Sequence, residues 1–78
     1  MAAAEDAAEL VAFIARAIVT QPDDIRVTVA DDGRVLELET ADDDRGRVIG
    51  RQGRVAKAMR AVISASAVGS DCRIEIID

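Results

Sequence analysis

Apolar residues between Glu5 and about Gln21 recur at spacings of three and four: Leu10, Phe13, Ile14, Ala17 and Ile18. That period predicts an amphipathic helix with Glu9 and Arg16 off the stripe and Phe13, the only aromatic residue, as a core anchor. Glu5 and Asp6 suit the positive end of its dipole, and Pro22 marks its end. The period then drops to two. Ile25, Val27 and Val29 alternate with Arg26 and Thr28, and Asp31-Asp32-Gly33 signals a tight turn. Leu36, Leu38 and Thr40 alternate with Val35, Glu37 and Glu39, giving the return strand of a hairpin with Glu37 and Glu39 toward solvent. Asp42, Asp43 and Asp44 offer N-caps for a short helical segment, Arg45 to Ile49. After Gly50-Arg51-Gln52-Gly53, a second long helix is expected from Arg54 to about Ala67, with Gly69 as its stop. Val55, Met59, Val62, Ile63 and Ser66 share one face of it, and Lys57 and Arg60 lie toward solvent. Arg73 to Ile77 alternates again, with Ile74 and Ile76 on one side. Helix, strand, strand, helix, helix, strand is an α+β order, with helices on one face of a three-stranded sheet.

Seventy-eight residues form one domain, residues 1–78, with a core over about 5–77. No apolar run reaches the roughly 18 residues of a membrane span, and the acidic start lacks the features of a signal peptide. Cys72 is alone, which fits a reducing, cytoplasmic setting. The chain has no His, Trp or Tyr and no cysteine pair, which removes zinc sites and His-based acid-base chemistry. Its carboxylates cluster in Asp23-Asp24, Asp31-Asp32 and Asp42-Asp43-Asp44, and read as solvated turn residues rather than metal ligands or catalytic groups. The sequence therefore points away from an enzyme, and no cofactor or metal is implied.

Charge changes the picture most. Residues 1–44 hold three Arg against twelve Asp and Glu, whereas residues 45–78 hold six Arg and one Lys against three acids. Six basic residues and no acid fall between Arg45 and Arg60. Fields act within roughly 10 Å at ordinary salt, so the formal net charge of −5 does not decide what this segment attracts. The block contains Gly50-Arg51-Gln52-Gly53 at the start of a helix, where free N–H groups and the helix dipole favour an anion. Gly-x-x-Gly alone is weak evidence, arising by chance in roughly a third of chains this long. Its context is the signal. A turn that only joined two helices would give no reason for six neighbouring cations. A Cβ at either glycine would obstruct a phosphodiester or forbid the turn's dihedrals. Arg51 and Gln52 can donate to phosphate oxygens, Arg47, Arg54 and Lys57 add charge, and Val48, Ile49 and Val55 offer an apolar floor for bases. A P-loop is ruled out because its Gly-x-x-x-x-Gly-Lys-Ser/Thr pattern is absent.

Val48-Ile-Gly-Arg-Gln-Gly-Arg-Val-Ala-Lys-Ala-Met-Arg60 resembles the signature of KH domains, which bind single-stranded nucleic acid through a Gly-x-x-Gly loop. The helix-first order resembles their bacterial, type II arrangement, α-β-β-α-α-β with a three-stranded mixed sheet. Over about residues 5–77 the chain is similar to the small single-KH proteins of the KhpA family. That resemblance implies RNA as ligand, with about four nucleotides between Gly50, Arg51, Gln52, Gly53 and the sheet edge. It also implies a bacterial cytoplasm, an RNA chaperone or post-transcriptional regulator, and a homodimer or a pair with a larger KH-containing protein, KhpB. Single-stranded DNA stays open as a ligand, since a phosphate clamp ignores the 2′-OH. Docking on a protein partner, with RNA contact secondary, is the alternative function. Met59, Val62, Ile63 and Val68 offer a helix face that core and dimer seam could share.

Overall fold

Three helices and three strands follow one another in the order the hydrophobic periods predict. A computed structural model describes residues 3–66 and 72–77. The elements are α1 (Ala3–Ile18), β1 (Arg26–Ala30), β2 (Val35–Glu39), α2 (Arg45–Ile49), α3 (Arg54–Ala65) and β3 (Arg73–Ile76). Single 3-10 turns at Pro22–Asp24, Asp31–Gly33, Asp42–Asp44 and Arg51–Gly53 join them.

The sheet order is β1-β2-β3, with β2 antiparallel to β1 and parallel to β3, so the sheet is mixed. The register aligns Val27 with Leu38 and Ile76, and Val29 with Leu36 and Ile74. These rows face the helices, and the central Leu36 and Leu38 are fully buried. The other face carries the row Thr28, Glu37, Glu75, in which two carboxylates sit side by side. Arg73 Nη2 lies 3.4 Å from Glu75 Oε2 on the same face and offsets one of the two charges. This is the α+β order that the hydrophobic periods predict, and it has the mixed three-stranded sheet that the resemblance to type II KH domains implies.

Two expectations about the long helices need correction. The buried stripe of α1 is Ala7, Val11, Ala12 and Ala15, while Phe13 is 72% exposed and Ala17 and Ile18 face outward. Small side chains let α1 lie close over the sheet and α3. Leu10 and Ile14 of the expected stripe pack half-buried against this core, but Phe13 is left in solvent and is not a core anchor. In α3 the buried residues are Ala56, Met59 and Ile63. Ile63 belongs wholly to the core and is not available to a seam, while Val62 is exposed. Helix α3 ends at Ala65, with Ser66 in extended conformation. Gly69, expected as its stop, and Val68, expected near a seam, lie outside the described residues.

Helix α1 also ends earlier than Pro22 alone would dictate. Its last residue is Ile18, and the N–H groups of Thr20 and Gln21 point away from the helix to the Asp44 carboxylate, at 3.0 Å each.

Candidate nucleic-acid interface

Helix α2 is barely one turn long, so only one side of it can be buried. Val48 takes that side and is fully buried in the core. It is not part of an apolar floor for bases, contrary to expectation. Ile49, one residue on, is 38% exposed, and Val55 is half-buried against the core. The apolar surface beside the turn is therefore Ile49 with the edge of Val55.

The turn itself is built by two glycines doing different work. Gly50 has φ +79°, and a Cβ there would lie 2.5 Å from Val55 Cγ2 and 2.7 Å from Val55 N. No rotamer change relieves a clash with backbone, so Gly50 lets the single turn Arg51–Gly53 join α2 to α3. Gly53 has φ +74° but open space where its Cβ would be. Its requirement is conformational, and the space it leaves is accessible to a ligand. Gln52, also at positive φ (+57°), is exposed with Arg51 at the outer corner. The Gly53 N–H returns to the Gly50 carbonyl at 3.1 Å and closes the turn.

Charge around the turn is divided in a way composition hides. Arg45 Nη2 donates to Asp42 Oδ1 at 2.9 Å. Arg47 Nε lies 3.4 Å from Asp44 Oδ1, although its side chain remains 58% exposed. Arg60 reaches β3, where Nε and Nη2 donate to the Ile74 carbonyl at 3.4 and 3.3 Å. Arg51, Arg54 and Lys57 are exposed and make no ion pair among the described residues. All three sit at the N-terminal end of α3, whose first turn holds no acid. Cations at that end oppose the helix dipole. The arrangement is locally unfavourable and would be relieved by a bound anion.

Asp44 departs from the solvated role expected of the turn acids. It is fully buried and accepts from Thr20 N–H, from Thr20 Oγ1–H at 2.9 Å and from Gln21 N–H. The Thr20 N–H does most to hold its carboxyl below the usual carboxylate range, against the opposing effect of burial, with Arg47 adding to the depression. Asp44 stands at the N-cap position of α2 but makes no side-chain cap bond there. It ties the end of α1 to the helix that carries the turn. Three consecutive aspartates gave no sign of which one would turn inward.

Several other acids share one place. Asp23, Asp24, Glu39, Asp42 and Asp43 line an open hollow of about 560 Å³ with Gln21, Arg26, Thr40 and Ala41. Among the described residues no group of three or more carboxylates and cysteines is placed to hold a metal ion. No helix among them is long and apolar enough to cross a membrane.

With that geometry in view, the sequence profile of the KhpA/KhpB KH domain matches residues 8–77. The chain belongs to the KhpA/KhpB KH-domain family. It is 49% identical over 73 residues to the RNA-binding protein KhpA of Halalkalibacterium halodurans, covering 88% of this chain and 96% of that one. The RNA-binding protein KhpA of Treponema pallidum is 46% identical over 74 residues, with 90% and 92% covered. That of Leifsonia xyli is 43% identical over 67 residues, with 83% and 88% covered. These KhpA relatives are bacterial and match along nearly their whole length. No solved structure gives a significant match.

Proposed function

We infer that this KhpA/KhpB-family domain binds single-stranded RNA without catalysing a reaction. The sugar-phosphate backbone would pass over Gly50-Arg51-Gln52-Gly53, with Arg51, Gln52, Arg54 and Lys57 contacting phosphates and Arg47 at the margin. Ile49 and the edge of Val55 would carry the bases. The observation that supports this most is the set of three cations at the start of α3 that make no ion pair among the described residues, beside a turn whose second glycine opens onto free space. The names of the relatives add RNA as the ligand. The cellular role that follows is an RNA chaperone or post-transcriptional regulator in the bacterial cytoplasm, acting as a homodimer or with a larger KH protein such as KhpB.

Charge reversal of the loop tests the reading. Arg51→Asp with Gln52→Asp puts two anions where a phosphate would lie, at exposed positions with little packing to lose. Circular dichroism stays that of the wild type, while gel-shift binding of a short unstructured RNA disappears. A folded double variant with unchanged RNA affinity refutes the clamp. The same result would favour protein docking as the main role, for which Val62, 48% exposed on α3, is the supporting observation. Running DNA of the same base sequence alongside measures how far the 2′-OH contributes.

A further inference from the structure

We propose that Asp44 is a positioning residue for RNA: its buried carboxylate latches the end of α1 to α2 and so holds the Gly50–Gly53 turn in the pose that binds. This rests on the RNA-binding reading and adds how the turn is set. Oδ1 accepts from the Thr20 N–H at 3.0 Å and from Thr20 Oγ1–H at 2.9 Å, and Oδ2 accepts from the Gln21 N–H at 3.0 Å. Those donors stand 24 and 23 residues earlier in the chain. Asp44 occupies the N-cap position of α2 yet makes no side-chain cap bond there. It therefore acts as a tether between two elements rather than as a cap of one. Arg47 Nε lies 3.4 Å from the same Oδ1, so the carboxylate also orients a cation of the basic block.

Helix α2 needs such a tether. It has five residues, of which only Val48 is buried. A single turn fixes several dihedrals for very few hydrogen bonds and does not hold its place alone. The turn that follows is supported on its α3 side, where Gly50 packs on Val55 with no room for a Cβ. On its α2 side the support that reaches another element through hydrogen bonds is Asp44. Arg51 and Gln52 lie between these two supports. A shift of Asp44 would carry α2 with it and move both residues relative to Arg54 and Lys57 on α3.

The latch has two states rather than a continuum. Asp44 is fully buried, and a buried carboxylate that loses its donors is left under-bonded away from water. It is held by Thr20 and Gln21 together or it swings out to solvent. If only the latched state sets the turn correctly, apparent RNA affinity scales with the latched fraction. Linkage makes the effect reciprocal: the factor by which the latch raises RNA affinity is the factor by which bound RNA strengthens the latch. A residue that only stabilised the fold would not tie the Thr20 and Gln21 amides to the occupancy of a turn on the far side of α2.

Fluorescence anisotropy with a short unstructured RNA and amide hydrogen exchange by NMR test the latch, with circular dichroism to verify folding. Asp44→Asn keeps the side chain's shape but loses its charge and one acceptor oxygen. It should lower RNA affinity by about threefold to thirtyfold, the range for residues that act on a ligand without touching it. The salt slope should not change, because no phosphate contact is lost. Thr20→Val removes only the hydroxyl donor, at an exposed position, and should lower affinity by a smaller factor. In the wild type, saturating RNA should slow exchange of the Thr20 and Gln21 amides by a factor comparable to the affinity lost in Asp44→Asn. The Arg34 N–H, bonded to the Asp31 carbonyl in the hairpin turn, serves as the control that RNA leaves unchanged. In the folded Arg51→Asp, Gln52→Asp variant, RNA should no longer slow the Thr20 and Gln21 amides. Wild-type RNA affinity in folded Asp44→Asn and Thr20→Val proteins overturns the latch, as do Thr20 and Gln21 amides slowed no more than Arg34. Failure of the clamp itself is distinct, since it shows as unchanged affinity in the loop variant.

Discussion

The division of the basic block into committed and free cations sets a number that can be measured. Releasing counterions from a single strand makes log K fall with log[salt] by about 0.7 for each phosphate neutralised. Arg51, Arg54 and Lys57 are free of ion pairs among the described residues, and three contacts give a slope near −2. If all six basic residues from Arg45 to Arg60 met phosphates, the slope would be about −4. Over a tenfold rise in salt the two cases differ clearly, as about a hundredfold against a ten-thousandfold loss of affinity. Screening of the carboxylates in residues 1–44 works in the opposite sense, so the observed slope should not be steeper than about −2. Fluorescence anisotropy of a labelled, unstructured RNA at several salt concentrations supplies the value. Neutralising variants then test the assignment residue by residue. Arg54→Gln and Lys57→Gln should each reduce the slope by about 0.7, whereas Arg45→Gln and Arg60→Gln should leave it unchanged. A wild-type slope steeper than about −3, or an Arg60→Gln variant that loses a phosphate contact, refutes the division; a slope near zero refutes the clamp itself.

The two glycines of the turn should separate under substitution. Gly50→Ala meets the backbone of Val55 and should cost more than about 2 kcal/mol, whereas Gly53→Ala meets only its positive φ and should cost about 1–2 kcal/mol, both read by urea unfolding; equal costs would show that the Val55 contact relaxes freely. Asp44 should shape the acid limb of stability. Its carboxyl titrates below its ordinary value of 3.8 in the fold, so the unfolded chain binds the proton first and the contribution is lost as pH falls through the folded pKa. Asp44→Asn should be less stable than wild type at pH 7, and the two melting curves should converge on acidification; a constant gap down to pH 2.5 refutes the assignment.

What could be read from the sequence follows from how strongly each signal depends on side-chain size. The strand rows were legible because alternation of Leu36 and Leu38 with Glu37 leaves one choice of face, and the structure buries both leucines. The phase of α1 was not. Weighting by bulk selects Phe13 and Ile18, but the packed face is made of Ala7, Ala12 and Ala15 around Val11, where closeness of approach matters more than apolar area. In α2, Val48 and Ile49 are adjacent and equally apolar, and a helix of five residues has no period from which to choose between them. The turn's residues were visible as a motif, but the partition of its charges was not drawn from them. Asp42 with Arg45 and Asp44 with Arg47 do stand at the i,i+3 spacing of helical ion pairs, a signal present in the chain. The bond from Arg60 to the Ile74 carbonyl spans the fold and has no local trace.

That partition also explains how so acidic a chain can present a surface to phosphate. Asp42 and Asp44 lie immediately before α2 and engage Arg45 and Arg47, so the neutralised part of the block is its N-terminal part. The cations without an ion pair among the described residues therefore lie toward α3, where they add to the positive end of a twelve-residue helix rather than cancel it. Meanwhile Asp23, Asp24, Glu39 and Asp43 are gathered in a separate hollow, and Glu37 and Glu75 occupy the open face of the sheet. A polyanion approaching over the hollow meets repulsion, whereas on the sheet face Glu75 is paired with Arg73 at 3.4 Å. Approach over Gly50–Gly53 meets three cations and a helix dipole of the same sign. On this reasoning the carboxylates do not merely weaken binding; they restrict the orientation in which a strand can bind. Replacing the hollow's acids with neutral residues would then raise affinity at low salt while loosening the preference for the loop.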